Sequence, residues 1–156
     1  MIEFFLWLIW AYLLMGAAEY LIHKYLMHKR FFRNEKLNWI WFNHAVLHHK
    51  KGENHHNVDL SLWNHLIIGS PLLILFYFLS IPALAALLCV FAYHSYVWTH
   101  AHRAIHGLEQ NWLQKTKFYQ KMYEHHIYHH YHPNKNFNVV MLWPSFDKLF
   151  HTKHNE

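Results

Sequence analysis

Apolar residues run almost without interruption from residue 2 to residue 22. A helix rising about 1.5 Å per residue would carry such a stretch across a hydrocarbon core of about 30 Å. A second apolar region covers residues 60–98, too long for one crossing, and Ser80-Ile81-Pro82 near its middle is a turn signal. The pattern therefore predicts a helical hairpin with spans over residues 60–79 and 82–98, Pro82 near a helix start and Pro71 as a candidate kink. The third span is expected to continue as helix toward His106. Past it, Trp112, Leu113, Phe118, Met122, Tyr123 and Ile127 recur near helical spacing, so residues 111–130 read as a helix lying against the membrane surface. His132-Pro133-Asn134 ends it, and the aromatic tail from Asn136 has no clear period.

Composition agrees with a membrane solvent. Charged residues are 15% of the 156 and aromatic residues 19%, against about 25% charged in soluble domains. The mean hydropathy of -0.09 hides this, because 19 histidines offset the apolar spans. The 14 Lys and Arg fall between spans one and two or after span three, which orients those segments toward the cytoplasm. Net charge of +5 is thereby explained by basic residues flanking spans, where anionic lipid attracts them, and nucleic acid is not an expected partner. The start lacks a basic region and a small-residue cleavage site, so it reads as a retained anchor. With one cysteine, Cys89, no internal disulfide, Cys-type zinc site or c-type haem attachment can form. The expected architecture is a single all-α integral membrane domain over residues 1–156. Three transmembrane helices would carry a cytoplasmic, histidine-rich helical cap made of residues 23–59 and 99–156.

That topology gathers four histidine clusters on one face: His23 and His28; His44, His48 and His49; His102 and His106; and His126, His129 and His130. Residues three or four apart on an α-helix share a side, so His44 with His48, His102 with His106, and His126 with His129 and His130 can each serve one centre. His23 and His28, five apart, either address different ions or need a local distortion of the helix. The adjacent pairs His48-His49 and His129-His130 point apart. Ten imidazoles exceed the four ligands of a closed structural zinc site and suggest two ions with about five each. Imidazole suits zinc, copper, nickel and iron alike, so the residues alone leave the metal open. His100, His125 and His132 neighbour the clusters and could hydrogen-bond behind them. His55, His56, His65, His94, His151 and His154 read as interfacial or hydrogen-bonded side chains. Trp7, Trp10, Trp39, Trp41, Trp63, Trp98 and Trp143 read as interface anchors or packing, with an apolar substrate passage as the alternative.

The boxes resemble those of the fatty acid hydroxylase and sterol desaturase superfamily of membrane di-iron enzymes, over roughly residues 19–152. Residues 19–28 look like its HX4H box, and the His-Lys-Tyr-Leu-Met-His core is similar to bacterial carotenoid hydroxylases. His44 to His49 resembles the second box, His102 to His106 the HX3H box, and His126 to His130 the HX2HH box. Asn136-Phe137-Asn138 and the stretch from Phe146 to Thr152 resemble the C-terminal Asn-Phe-Gly and Trp-Asp-x-x-Phe-Gly-Thr motifs of fatty-acyl and sphingolipid hydroxylases. Asn138 and His151 stand where glycine is usual, Phe146 replaces tryptophan, and the second box holds one extra residue.

The resemblance implies two iron ions, for which zinc can substitute on overexpression, and O2 as oxidant. It also implies electrons from a separate ferredoxin or cytochrome b5 type of donor with its reductase. The reaction implied is hydroxylation of a lipid C–H bond. The acyl-type tail favours a fatty acid or complex lipid as substrate; a carotenoid ring, or desaturation, is the alternative. A membrane protein that binds or transports metal without oxygen chemistry is the competing class.

Overall fold

The computed structural model describes residues 1–56, 58–142 and 145–154, except the side chain of Glu35. Helices α1 (Ile2–Leu21), α2 (Trp39–Trp41), α3 (Leu62–Ile68), α4 (Ser70–Leu79), α5 (Ile81–Ile105), α6 (Lys117–Tyr131) and α7 (Phe146–Leu149) follow in order, with no strand among the described residues. Two π-helical segments, Ile22–Met27 and Phe42–Lys50, extend α1 and α2. Short 3-10 turns precede α2 and α6.

Two helices are long and apolar enough to cross a membrane: Ile2–Met27, counting the π-helical extension, and Ile81–Ile105. The hairpin predicted from Ser80-Ile81-Pro82 is present. Ser80 caps α5, its hydroxyl accepting from Ala83 N at 3.2 Å, and Pro82 sits in the first turn where its missing N–H costs nothing. Gly107 ends α5 with φ of +72°, as Leu108 N donates to Arg103 O at 2.8 Å. The stretch expected as one span over 60–79 is instead two helices, α3 and α4, bent by 74°. The break lies at Gly69, where a Cβ would come within 2.5 Å of both the His65 carbonyl and the Phe91 ring. Pro71 begins the new helix instead of kinking an old one. Residues 111–130 also split, because Thr116 takes an extended conformation and caps α6 by accepting from Tyr119 N at 3.1 Å.

Two apolar clusters hold the helices together. One lies within the spans and joins Ala11 and Met15 of α1 to Phe76 of α4 and Leu87, Val90 and Phe91 of α5. The other lies under the histidines and packs Met27, Trp98, Ala101, Leu113 and Met122 against Val139 and Val140. Outward-facing Ile9, Trp10, Ile67, Ile74, Phe78 and Ile81 are all more than half exposed. So continuous an apolar exterior on the span helices fits lipid contact, not water.

Candidate metal centre

Ten imidazoles from four elements converge beside the spans. Their ring nitrogens form two groups: His23, His28, His44, His49 and His129, and His48, His102, His106, His126 and His130. Within each group one nitrogen from every ring lies within 4.8 Å of all the others. The groups touch, with His49 of the first stacked on His130 of the second at 4.2 Å.

Local backbone geometry decides which ring joins which group. An i→i+5 helix is wider than an α-helix, so residues five apart return to one side. His23 and His28 leave the Ile22–Met27 segment together, and His44 and His49 leave the Phe42–Lys50 segment together. The bond from Lys51 N to Val46 O, at 2.9 Å, marks the wider turn. His44 and His48, paired from α-helical spacing, therefore fall into different groups. On α6, an ordinary α-helix, His126 and His130 share a group, whereas His129, paired with His126 from its three-residue spacing, faces the other. His102 and His106 stay together, as four-residue spacing on α5 requires.

Nitrogen spacing tests whether cations fit. His102, His106 and His130 each bring Nε2 within 3.0–3.2 Å of His126 Nε2. An imidazole nitrogen has one in-plane site, a lone pair or a hydrogen, so three such neighbours cannot all be hydrogen bonds. In the first group, His23 and His44 Nε2 lie 2.9 Å apart, His44 and His49 3.1 Å, and His28 and His129 3.0 Å. Two nitrogens bound at about 2.1 Å and at right angles to one ion are about 3.0 Å apart, whereas a tetrahedral pair is about 3.4 Å apart. The spacing fits ions with more than four ligands. Both ring nitrogens of His48 are buried with no hydrogen-bond partner among the described residues, as expected of a ring aimed at a cation.

The electrostatics favour neutral, ligand-ready rings. Burial, reinforced by the neighbouring imidazoles, lowers His28 to about 4 and His129 and His130 to about 3. Burial takes His106 to about 4 and holds His44 and His126 well below the ordinary imidazole value. Neutral lone pairs are what a cation needs. Two rings are also anchored from behind: His23 Nδ1 donates to Phe137 O and His129 Nδ1 to Lys135 O, each at 2.5 Å.

The three flanking histidines diverge. His125 donates toward Asp147 at 3.3 Å behind α6. His100 pairs with Glu109 at 2.8 Å, and His132 is exposed and stacks on Tyr128. His65 and His94, read from sequence as interfacial or hydrogen-bonded, are buried and bonded to each other at 2.8 Å, with His94 on the Glu19 carboxylate at 2.6 Å. Glu19 also accepts from the Val139, Val140 and Met141 amides. A carboxylate inside an apolar span was the available signal. Glu53, His55 and His56 form a smaller group in a loop, two of them part-exposed and His55 exposed.

A cavity of about 330 Å³ runs along α1, α3, α4 and α5 and reaches the first group at His23. Its walls are mostly apolar, with Leu72, Leu87, Phe91 and Trp98 among them, and Glu19, Asn64, His65 and His94 also in the lining. Trp39 lines it too. Trp7 packs on Phe76, Trp10 and Trp63 face outward, and Trp143 lies outside the described residues.

A sequence model described as fatty acid hydroxylase matches residues 8–152. Searches of curated proteins and of solved structures returned no match.

Proposed function

The chain belongs to the fatty acid hydroxylase family, and from that premise we propose that it is an O2-dependent di-iron monooxygenase that hydroxylates a lipid C–H bond. The observation that carries the proposal is the pair of touching five-imidazole groups, one of which borders an apolar cavity within the span helices. The first ion would be held by His23, His28, His44, His49 and His129. The second would be held by His48, His102, His106, His126 and His130. Iron there supplies the redox chemistry with O2 that side chains and zinc lack. In the overall balance one oxygen atom enters the C–H bond and the other leaves as water, using two electrons and two protons.

The residues present do the rest. Leu72, Leu87, Phe91 and Trp98 favour an alkyl chain over water, and His23 in the lining would set that chain beside the first metal-binding group. An acyl chain of a fatty acid or complex lipid is the proposed substrate. Three crossings, with α3 and α4 as one bent span, would put the groups on the cytoplasmic side with the Lys and Arg residues. There a separate ferredoxin or cytochrome b5 type of donor, with its reductase, could reach them. Glu19, His94 and His65 satisfy one another, with His65 Nδ1 also donating to Ser61 O, so they offer no free ligand to a passing ion. That disfavours transport.

Expression with candidate lipids and a reducing system tests the proposal. An O2-dependent gain of one oxygen atom on an acyl chain is expected. The same gain on a carotenoid ring would move the substrate, loss of two hydrogens would indicate desaturation, and no product with an iron-loaded chain would refute oxidation.

A further inference from the structure

Residues 135–141 form an irregular strap between α6 and α7, and they reach only one of the two histidine groups. Phe137 O accepts from His23 Nδ1 and Lys135 O from His129 Nδ1. A carbonyl can only accept, so both rings carry their hydrogen on Nδ1 and turn the Nε2 lone pair inward. His23 and His129 both belong to the first group. Nδ1 of His48, His102 and His126 in the second group, and of His49 in the first, has no protein acceptor among the described residues.

A buried carboxylate fixes the strap. Asp147 is fully buried and accepts from Phe137 N at 2.8 Å through Oδ1, and from Asn138 N at 2.7 Å through Oδ2. Thr152 donates its hydroxyl to Oδ1 at 2.7 Å. Burial pushes the Asp147 carboxyl up. The bonds from His125, Asn138, Thr152 and Phe137 outweigh it and hold the carboxyl below its ordinary range. Glu19 grips the next three amides, of Val139, Val140 and Met141. The strap has no ladder partner among the described residues, so these carboxylates satisfy amides that would otherwise be buried unpaired. Phe137 is the hinge: its N–H rests on Asp147 and its C=O aims His23.

We propose that Asp147, acting through the strap, is a positioning residue for the first metal-binding group alone, setting the tautomer and aim of His23 and His129. This rests on the reading that the two groups hold metal ions. Asp147→Asn is the incisive change. Whichever way the new amide turns, its NH2 meets the N–H of Phe137 or of Asn138, and neither amide can become an acceptor.

The test uses the full chain in detergent, stripped of metal and titrated anaerobically with Co(II), whose visible bands report each ion's ligand set. The wild-type chain should take two ions, His129→Ala should lose the first group's signature, and His48→Ala the second's. Asp147→Asn should weaken the first signature by about 10–100-fold, the range typical of groups behind metal ligands, and leave the second unchanged. Thr152→Val keeps every backbone bond to Asp147, so it should fold where Asp147→Asn does not and show a smaller loss in the same signature. Unchanged binding of both ions in these variants, loss of the second signature, or equal weakening of both would overturn the inference. Fewer than two ions on the wild-type chain would instead overturn the reading beneath it.

Discussion

Replacing Glu19 by Leu or by Gln should separate its role as acceptor from its role as charge. The carboxylate is 4% exposed and receives the Val139, Val140 and Met141 amides and His94 Nε2. Leucine leaves three backbone donors buried and unpaired, at about 1–3 kcal/mol each, or roughly 3–9 kcal/mol in all. That rivals the whole stability of a typical domain, about 5–15 kcal/mol. Glutamine keeps Oε1, which takes all three amides, and of these bonds loses only the shares of Val140 and Met141 on Oε2, each at 3.3 Å. Its oxygen can face the amides while its NH2 donates to His94, whose hydrogen then sits on Nδ1 facing His65 Nε2. His65 requires that arrangement, because its own Nδ1 donates to the Ser61 carbonyl. What is lost is charge assistance, about 1–2 kcal/mol, and neutral replacements of buried pairs are often well tolerated. Thermal unfolding of the metal-free chain in detergent, followed by tryptophan fluorescence, measures the difference. At about 2–4 °C per kcal/mol for this chain length, Glu19→Gln should fall by a few degrees and Glu19→Leu by about 10 °C or more. Equal losses would show that charge, and not acceptor geometry, holds the strap. A mild Leu variant would show that Glu19 does not hold it at all.

Three further outcomes follow from particular residues. His151, which stands at the glycine position of the motif it resembles, has φ of +53°. The left-handed backbone costs a side-chain-bearing residue about 1–2 kcal/mol, so His151→Gly should raise the unfolding midpoint, and a lower midpoint would contradict this. Gly69→Ala places a methyl 2.5 Å from the His65 carbonyl and the Phe91 ring. It should destabilise by about 1–3 kcal/mol through overpacking, and a change below about 0.5 kcal/mol would refute the close approach. Acid should weaken the metal-free chain. His28 and His106 protonate at about 4, and His129 and His130 at about 3, when folded. They do so near 6.5 when unfolded. The unfolded chain therefore binds more protons across that window, so stability is full above about pH 6.5 and falls as pH drops toward 4. Unfolding midpoints that hold steady or rise between pH 7 and pH 5 would contradict neutral buried rings.

The apolar pattern made α1 and α5 legible, and the Ser80-Ile81-Pro82 signal correctly divided α4 from α5. The bend at Gly69 was not, because it depends on how closely Phe91 of another helix approaches. The break at Thr116 was not read either, because the apolar spacing on both sides of it reads as one helix. Composition and spacing singled out the ten clustered histidines, but α-helical spacing misassigned His44 and His48 to one centre. Their partition depends on two π-helical segments that periodicity does not announce. The same wider turn brings His23 and His28 together, as the local distortion allowed for from their spacing would do. The partners of Glu19, His94 and Asp147 were not legible because they are long-range: His94 lies 75 residues from Glu19, and the amides held by Asp147 sit in a tail without a period.

Anomalous X-ray scattering at the iron edge, on crystals of the chain purified without chelators and loaded with Fe(II), tests the central claim most directly. Two peaks are expected, one within each five-histidine group, with His126 Nε2 and His44 Nε2 among the nearest atoms. A single peak shared by both groups, or peaks only at the exposed Glu53, His55 and His56 loop, would contradict the two-ion centre.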